Sequence, residues 1–191
     1  MSQISREELI ERAGRGESFG NMELSGIDLS YENLRGADFS NANLTDAHLQ
    51  NANLEGANFK GAILKNAFLF GANLLNSCFD EADLSEANLQ DTNMENASFK
   101  RANMFHVKLF GVQAQNANFE QANLVTGRFK RANLQSAHFE GADLSNAHLE
   151  RADLRHAILD NANLSGAFLS NTNLEHASTK GAKIENVTGE I

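Results

Sequence analysis

Ala52-Asn53-Leu54-Glu55-Gly56 is followed directly by Ala57-Asn58-Phe59-Lys60-Gly61, and the same phrase returns at Ala82-Asp83-Leu84-Ser85-Glu86 and Ala142-Asp143-Leu144-Ser145-Asn146. Working outward, every fifth residue from Phe19 to Ile184 falls in one column of 34 positions. Leu holds 21 of them, Phe 8 and Met 2, and the rest are Ala114, Thr179 and Ile184. The column two residues earlier, from Ala37 to Ala182, is Ala at 24 of 30 positions. Its exceptions are Ser77, Thr92, Val107, Val112, Gly127 and Thr172, all small or β-branched; the earlier Met22, Ile27 and Glu32 are rougher. No insertion shifts the register.

A period of five belongs to neither a plain helix nor a plain strand. On an α-helix five residues rotate by about 140°, which would scatter the leucines around the surface. In an extended segment residues two apart face the same way, so Ala and Leu point to one side and the Asn or Asp between them to the other. The remaining two residues must turn the chain, and the unit repeated without a break wraps into a coil with a closed interior. Phe19, Phe39, Phe59, Phe79, Phe99, Phe119 and Phe139 are spaced by 20 residues, with only Phe129 in the central column off that series. Twenty residues per turn would stack these rings along one internal wall and give the coil four walls.

The pattern closely resembles the pentapeptide-repeat family over about nine-tenths of the chain. The resemblance implies an all-β solenoid, a right-handed quadrilateral parallel β-helix; the period alone does not supply the handedness. Thirty-four repeats at four per turn make about eight and a half turns, or a rod about 40 Å long at the usual spacing of stacked strands. Residues 1–15 are predicted to form an N-terminal capping helix, 16–187 the β-helix and 188–191 a C-terminal tail. Ser5-Arg6-Glu7-Glu8 fits a capping box, Leu9, Ile10 and Ala13 are placed to cover the open end, and Gly14 to stop the helix. At the other end Ile184, Val187 and Ile191 are left to close the core.

The composition excludes several classes. The chain of 191 residues has no proline, which removes collagen and polyproline readings. Its single cysteine, Cys78, permits no internal disulfide and no multi-cysteine metal site. No apolar run reaches the roughly 18 residues of a spanning helix, and the N-terminus has no apolar signal-like core, so a soluble cytoplasmic protein is expected. A net charge of −9 disfavours direct nucleic-acid binding. No catalytic constellation, metal site or cofactor motif is present: His156 and His176 lie one turn apart with no third ligand, and Cys78 has no neighbouring base. The chain is therefore read as a non-enzyme without a cofactor, a monomer or weak end-to-end dimer.

The outside is not uniform. Beside Leu34, Leu54 and Leu74 the outward column is a polar ladder from Asn33 to Asn173. Beside Leu29, Leu49 and Leu69 it reads Asp28, His48, Phe68, Asn88, Lys108, Arg128, His148, Phe168. The next outward column of that wall adds Phe70, Phe110 and Lys130, the following corner Arg131 and Arg151, and the adjoining corner Phe105 and Val125. All five phenylalanines outside the central column thus lie on or beside one wall of an acidic protein, together with a basic cluster. Exposed aromatics with arginine are typical anchors of protein interfaces. The candidate partner-binding residues are Phe68, Phe70, Phe105, Phe110, Phe168, Lys108, Arg128, Lys130, Arg131 and Arg151, for an unidentified protein partner and no membrane. The resemblance implies one alternative, an acidic rod that imitates duplex DNA and binds or protects DNA gyrase. Asp80, Glu81, Asp83, Glu86, Asp91 and Glu95, continued by Glu120, Glu140, Asp143 and Asp160, would carry it, although Lys100 and Arg101 interrupt them.

Overall fold

The computed structural model describes residues 4–189. Parallel bridges join Glu23 to Asn43, Asp28 to His48, Asn33 to Asn53 and Asp38 to Asn58, and the series continues to Phe168 and Thr188. Each bridge spans one coil turn of 20 residues. The four bridges per turn define four walls, named here by their central residues: wall A carries Phe39 and Phe59, wall B Leu44 and Leu64, wall C Leu49 and Leu69, and wall D Leu54 and Leu74.

Hydrogen bonding explains the repeat residue by residue. In the unit around Phe39, the Phe39 N–H donates to the Asn58 carbonyl at 2.8 Å and the Asn41 N–H to Lys60 at 2.9 Å, both one turn on. The Ala42 N–H donates back to the Phe39 carbonyl at 3.0 Å, closing a β-turn whose third residue, Asn41, has φ 56°. A positive φ recurs at every fifth residue from Gly16 to Asn186, which is why Gly and Asn crowd that column. The one N–H left over, that of Ser40, donates to Asp38 Oδ1 at 3.1 Å. The Asn or Asp before each central residue therefore does structural work: its side-chain oxygen accepts from the N–H two residues on, which the coil cannot otherwise satisfy. The same bond serves Thr45, Lys60, Ser85, Glu95, Glu120 and Ser145.

The interior is the apolar column itself. Central residues from Phe19 to Leu169 are buried, as is the small column beside them from Ala42 to Ala167. Burial of each Leu or Phe is worth about 1.5–3 kcal/mol. Six consecutive phenylalanine pairs on wall A stack with ring centroids 4.6–5.3 Å apart, from Phe19–Phe39 to Phe119–Phe139. Phe129, on wall C, meets Phe119 and Phe139 edge-on at 89° and 80°. Gly127 occupies the alanine column just before it, where a methyl group would lie 3.1 Å from the Phe129 ring and 2.9 Å from the Leu124 carbonyl. The outward column is not uniformly exposed, since Ser30 and Ser85 are both buried.

Helix α1, Arg6–Gly14, precedes the coil. Ser5 Oγ accepts from the Glu8 N–H at 3.2 Å, and Leu9 is buried against the core with Ile4 and Ala13 beside it. Arg6 reaches the Ser30 carbonyl and Glu32, and the Arg12 guanidinium lies 5.7 Å from the Phe19 ring centre. Gly14 does not stop the helix, contrary to the expectation from the sequence. It is the last helical residue, Arg15 caps it in a right-handed conformation, and the positive φ falls at Gly16. At the other end Leu174 and Val187 are half-buried, while Thr179 and Ile184 are exposed. Ile184 thus does not close the core, because within the described residues no further turn lies over it; Ile191 lies outside them. Among the described residues no helix is long and apolar enough to cross a membrane.

Candidate functional site

Wall D keeps Asn, Gln or Asp throughout the outward column before its central residues, wall B departs at Glu23, Ile63 and Lys183, and wall A carries Cys78, Ser98, His138, Ile158 and Ser178; wall C is where phenylalanines and several cations take their place. Side-chain oxygens of Asp28 and Asn88 on wall C accept from the N–H groups of Ser30 and Gln90, as elsewhere in the coil. At the other positions of that column stand His48, Phe68, Lys108, Arg128, His148 and Phe168. Phenylalanine, lysine and arginine carry no acceptor. The wall has therefore exchanged a recurring stabilising bond for aromatic and cationic side chains in at least four turns.

The column is organised in two sections. His48 stacks on Phe68 at 4.9 Å and 21°, and His148 on Phe168 at 4.4 Å and 6°, with Lys108 and Arg128 between the two stacks. The first section adds Phe70, which is exposed. The second opens into two adjoining clefts. One, of about 540 Å³, is lined by Phe110, Lys130, Arg131, Glu150, Arg151, Ser170 and Asn171. The other, of about 300 Å³, is lined by Gln90, Phe110, Arg128, Lys130 and His148. Phe110 and Lys130 belong to both. The Arg131 guanidinium lies 5.8 Å from the centre of the half-buried Phe110 ring, within cation–π range.

Glu150 sits in this cluster and accepts from Lys130 Nζ at 2.9 Å, with His148 Nδ1 at 3.5 Å. Burial pushes its carboxyl pKa up, but the Lys130 ammonium, its own backbone and His148 outweigh that and hold it below the usual range. The groove is thus a half-buried aromatic floor with an anchored carboxylate, ringed by cations.

The structure brings Phe110, Arg128, Lys130, Arg131 and Arg151 together around these clefts. Phe168 joins through its stack on His148. Lys108 lies one turn from Arg128 on the same wall but lines neither cleft, and Phe68 and Phe70 stand at the other section. Phe105 is exposed on wall B, with its ring 5.8 Å from that of His106. The sequence reading left out Glu150, although its place 20 residues after Lys130 in the same column was a sufficient signal. It also left out Tyr31, which is 75% exposed in the corner column of Arg131 and Arg151, and Ile63, which is exposed on wall B.

The remaining candidates carry no comparable geometry. His156 and His176 stack at 5.1 Å, and no group of three or more metal-ligating side chains occurs among the described residues. Burial pushes the Cys78 thiol pKa up, away from a reactive thiolate. On the acidic side, Arg101 pairs with Glu81 at 2.6 Å and Lys100 with Glu120 at 3.4 Å, so part of that charge is neutralised within the rod.

Comparison with known proteins fits this architecture. A model of pentapeptide repeats matches residues 23–61, 37–76, 137–175 and 152–188, and a model of a pentapeptide repeat region matches 62–139. Among solved structures the chain is similar to HetL from the cyanobacterium Nostoc sp. strain PCC 7120, a pentapeptide repeat protein involved in heterocyst differentiation regulation. The two are 25% identical, the match covers 97% of this chain and 95% of that one, and the TM-score is 0.53. A pentapeptide repeat protein of the Arabidopsis thaliana thylakoid lumen is 30% identical over 58% of this chain and 71% of its own, with a TM-score of 0.43. QnrB1, a plasmid-mediated fluoroquinolone resistance protein, is 19% identical over 90% of this chain and 86% of its own, with a TM-score of 0.43. No curated protein sequence matches the chain.

Proposed function

The chain belongs to the pentapeptide-repeat family, and from that premise we propose that it is a non-enzymatic, rod-shaped interaction module that engages a protein partner through wall C. The rod is a right-handed coil of about eight turns, with α1 as the cap of its first turn and the chain beyond residue 187 as a tail. One observation carries the functional reading. On wall C the Asn or Asp that satisfies a backbone N–H gives way to Phe68, Lys108, Arg128 and Phe168, each an exchange of local stability for an outward-facing aromatic or cation. Half-buried aromatics beside arginines are the composition of interface anchors. The candidate residues are assigned to this surface and its borders, with Phe105 on the adjoining wall B and the groove around Phe110 at the centre. HetL, similar over nearly its whole length, is involved in regulation, a task a binding rod suits.

The test is a Phe70→Ser/Phe110→Ser double variant used in affinity capture beside the unaltered protein. Both side chains lie outside the central column, so the variant is expected to fold and to lose the captured partner. If it folds and retains every partner, wall C is not the binding surface.

A further inference from the structure

The arginines of this rod divide cleanly by their use. Arg6, Arg12, Arg15, Arg35, Arg101 and Arg155 each hold a carboxylate of the chain at 2.5–2.9 Å. The other three, Arg128, Arg131 and Arg151, have no ion pair among the described residues, and all three line the two clefts that share Phe110. They are exposed, in a protein with 25 acidic residues against 16 basic ones. In such a chain, leaving three guanidiniums without a carboxylate at one place is a departure from the rule the other six arginines follow.

Pairing with a strand edge is closed off there. The N–H groups of Leu109, Gly111, Phe129 and Arg131 donate to the carbonyls of Arg128, Lys130, His148 and Glu150, so the wall offers no free strand edge. An occupant is read chiefly by side chains, with the Phe110 and Lys130 N–H groups, left without an acceptor from Lys108 and Arg128, as the backbone donors beside them. The planar guanidinium forks are matched to carboxylates, and the Phe110 ring to an apolar side chain between them.

Resting on the wall C reading above, we propose that the groove takes a short acidic segment of a protein partner, with Asp or Glu carboxylates on Arg128, Arg131 and Arg151 and one apolar side chain on Phe110. A long polyanion such as nucleic acid fits less well, because beyond the groove it would run along a rod of net charge −9. A dianionic phosphate is disfavoured by the Glu150 carboxylate in the same cleft.

The experiment is fluorescence anisotropy of the full chain with a labelled peptide of alternating Glu and Leu around one Phe. Its comparators are the same peptide with Gln for Glu, a phosphoserine peptide with Gln for Glu, and a DNA duplex. The Glu peptide is expected to bind, with affinity falling as salt rises, and the Gln peptide to bind about tenfold more weakly or worse. Arg131→Glu/Arg151→Glu should abolish binding without loss of fold, since Glu81 and Glu86 already adopt the positive φ of those positions. Equal binding of the Glu and Gln peptides, binding unchanged in the double variant, or tighter binding of the phosphopeptide or duplex would each overturn the assignment. Should the Glu peptide fail to bind while Phe70→Ser/Phe110→Ser still loses its captured partner, the acidic occupant is wrong and wall C stands. Loss of neither removes both.

Discussion

Gly127 and Thr126 show how tightly single positions of the repeat are specified. Gly127 is the one glycine of the alanine column from Ala37 on, and it makes room for Phe129. Gly127→Ala should therefore destabilise the rod by about 1–3 kcal/mol through overpacking, measurable as a lower Tm, although alanine is the consensus there. Thr126 is a β-branched residue at φ 57°, its hydroxyl held by the Val125 carbonyl and lying 3.0 Å from His106 Nδ1. Thr126→Gly should raise stability by about 1 kcal/mol by relieving that backbone. The interior register has its own test. Leu64→Lys places a charge in the closed core and should cost about 4 kcal/mol or more, while Lys65→Ser, at the exposed neighbour, should leave Tm nearly unchanged. Equal shifts would refute the register. The apolar columns and the phenylalanine series were legible from the period because burial allows few residue types. The reason for Asn and Asp between them was not, since it lies in a bond to an N–H two residues away that only the turn geometry leaves unpaired.

At the scale of the wall, the same bond makes the cost of function measurable. Lys108→Asn and Arg128→Asn restore a side-chain acceptor for the N–H groups of Phe110 and Lys130. Each should stabilise by about 0.5–1.5 kcal/mol, a rise of a few degrees in Tm, and Arg128→Asn should weaken partner binding in the same protein. Unchanged Tm in both would mean that water satisfies those groups as well. The carboxylates of the repeat set a pH limit. Hydrogen bonds from the Ser18 hydroxyl to Asp38 and from the Arg155 guanidinium to Asp153 lower both pKa values. Their stabilisation is present above the unfolded carboxylate pKa and is lost as pH falls through the lower folded values. Tm should hold from neutral pH to about 4 and decline below it. The aromatic and basic identity of wall C was legible in the sequence because the register assigns each residue to a wall. The division into two sections was not, because it depends on which rings stack and which cations already hold a carboxylate.

For the whole molecule, α1 buries Leu9 against the first turns of the coil, so removal of residues 1–15 should lower Tm and promote association at the exposed first turn. A rod with Glu81 and Glu120 engaged by Arg101 and Lys100 is a poor imitation of duplex DNA, and a gyrase supercoiling assay should show neither inhibition nor protection from quinolones. The central claim is that the partner sits on wall C. It is tested most directly by hydroxyl-radical footprinting of the full chain with and without its captured partner. Protection is expected at Phe110, Phe168 and His148, with Cys78 and His138 on wall A unchanged. Protection confined to wall A, with Phe110 and Phe168 as reactive as in the free protein, would contradict it.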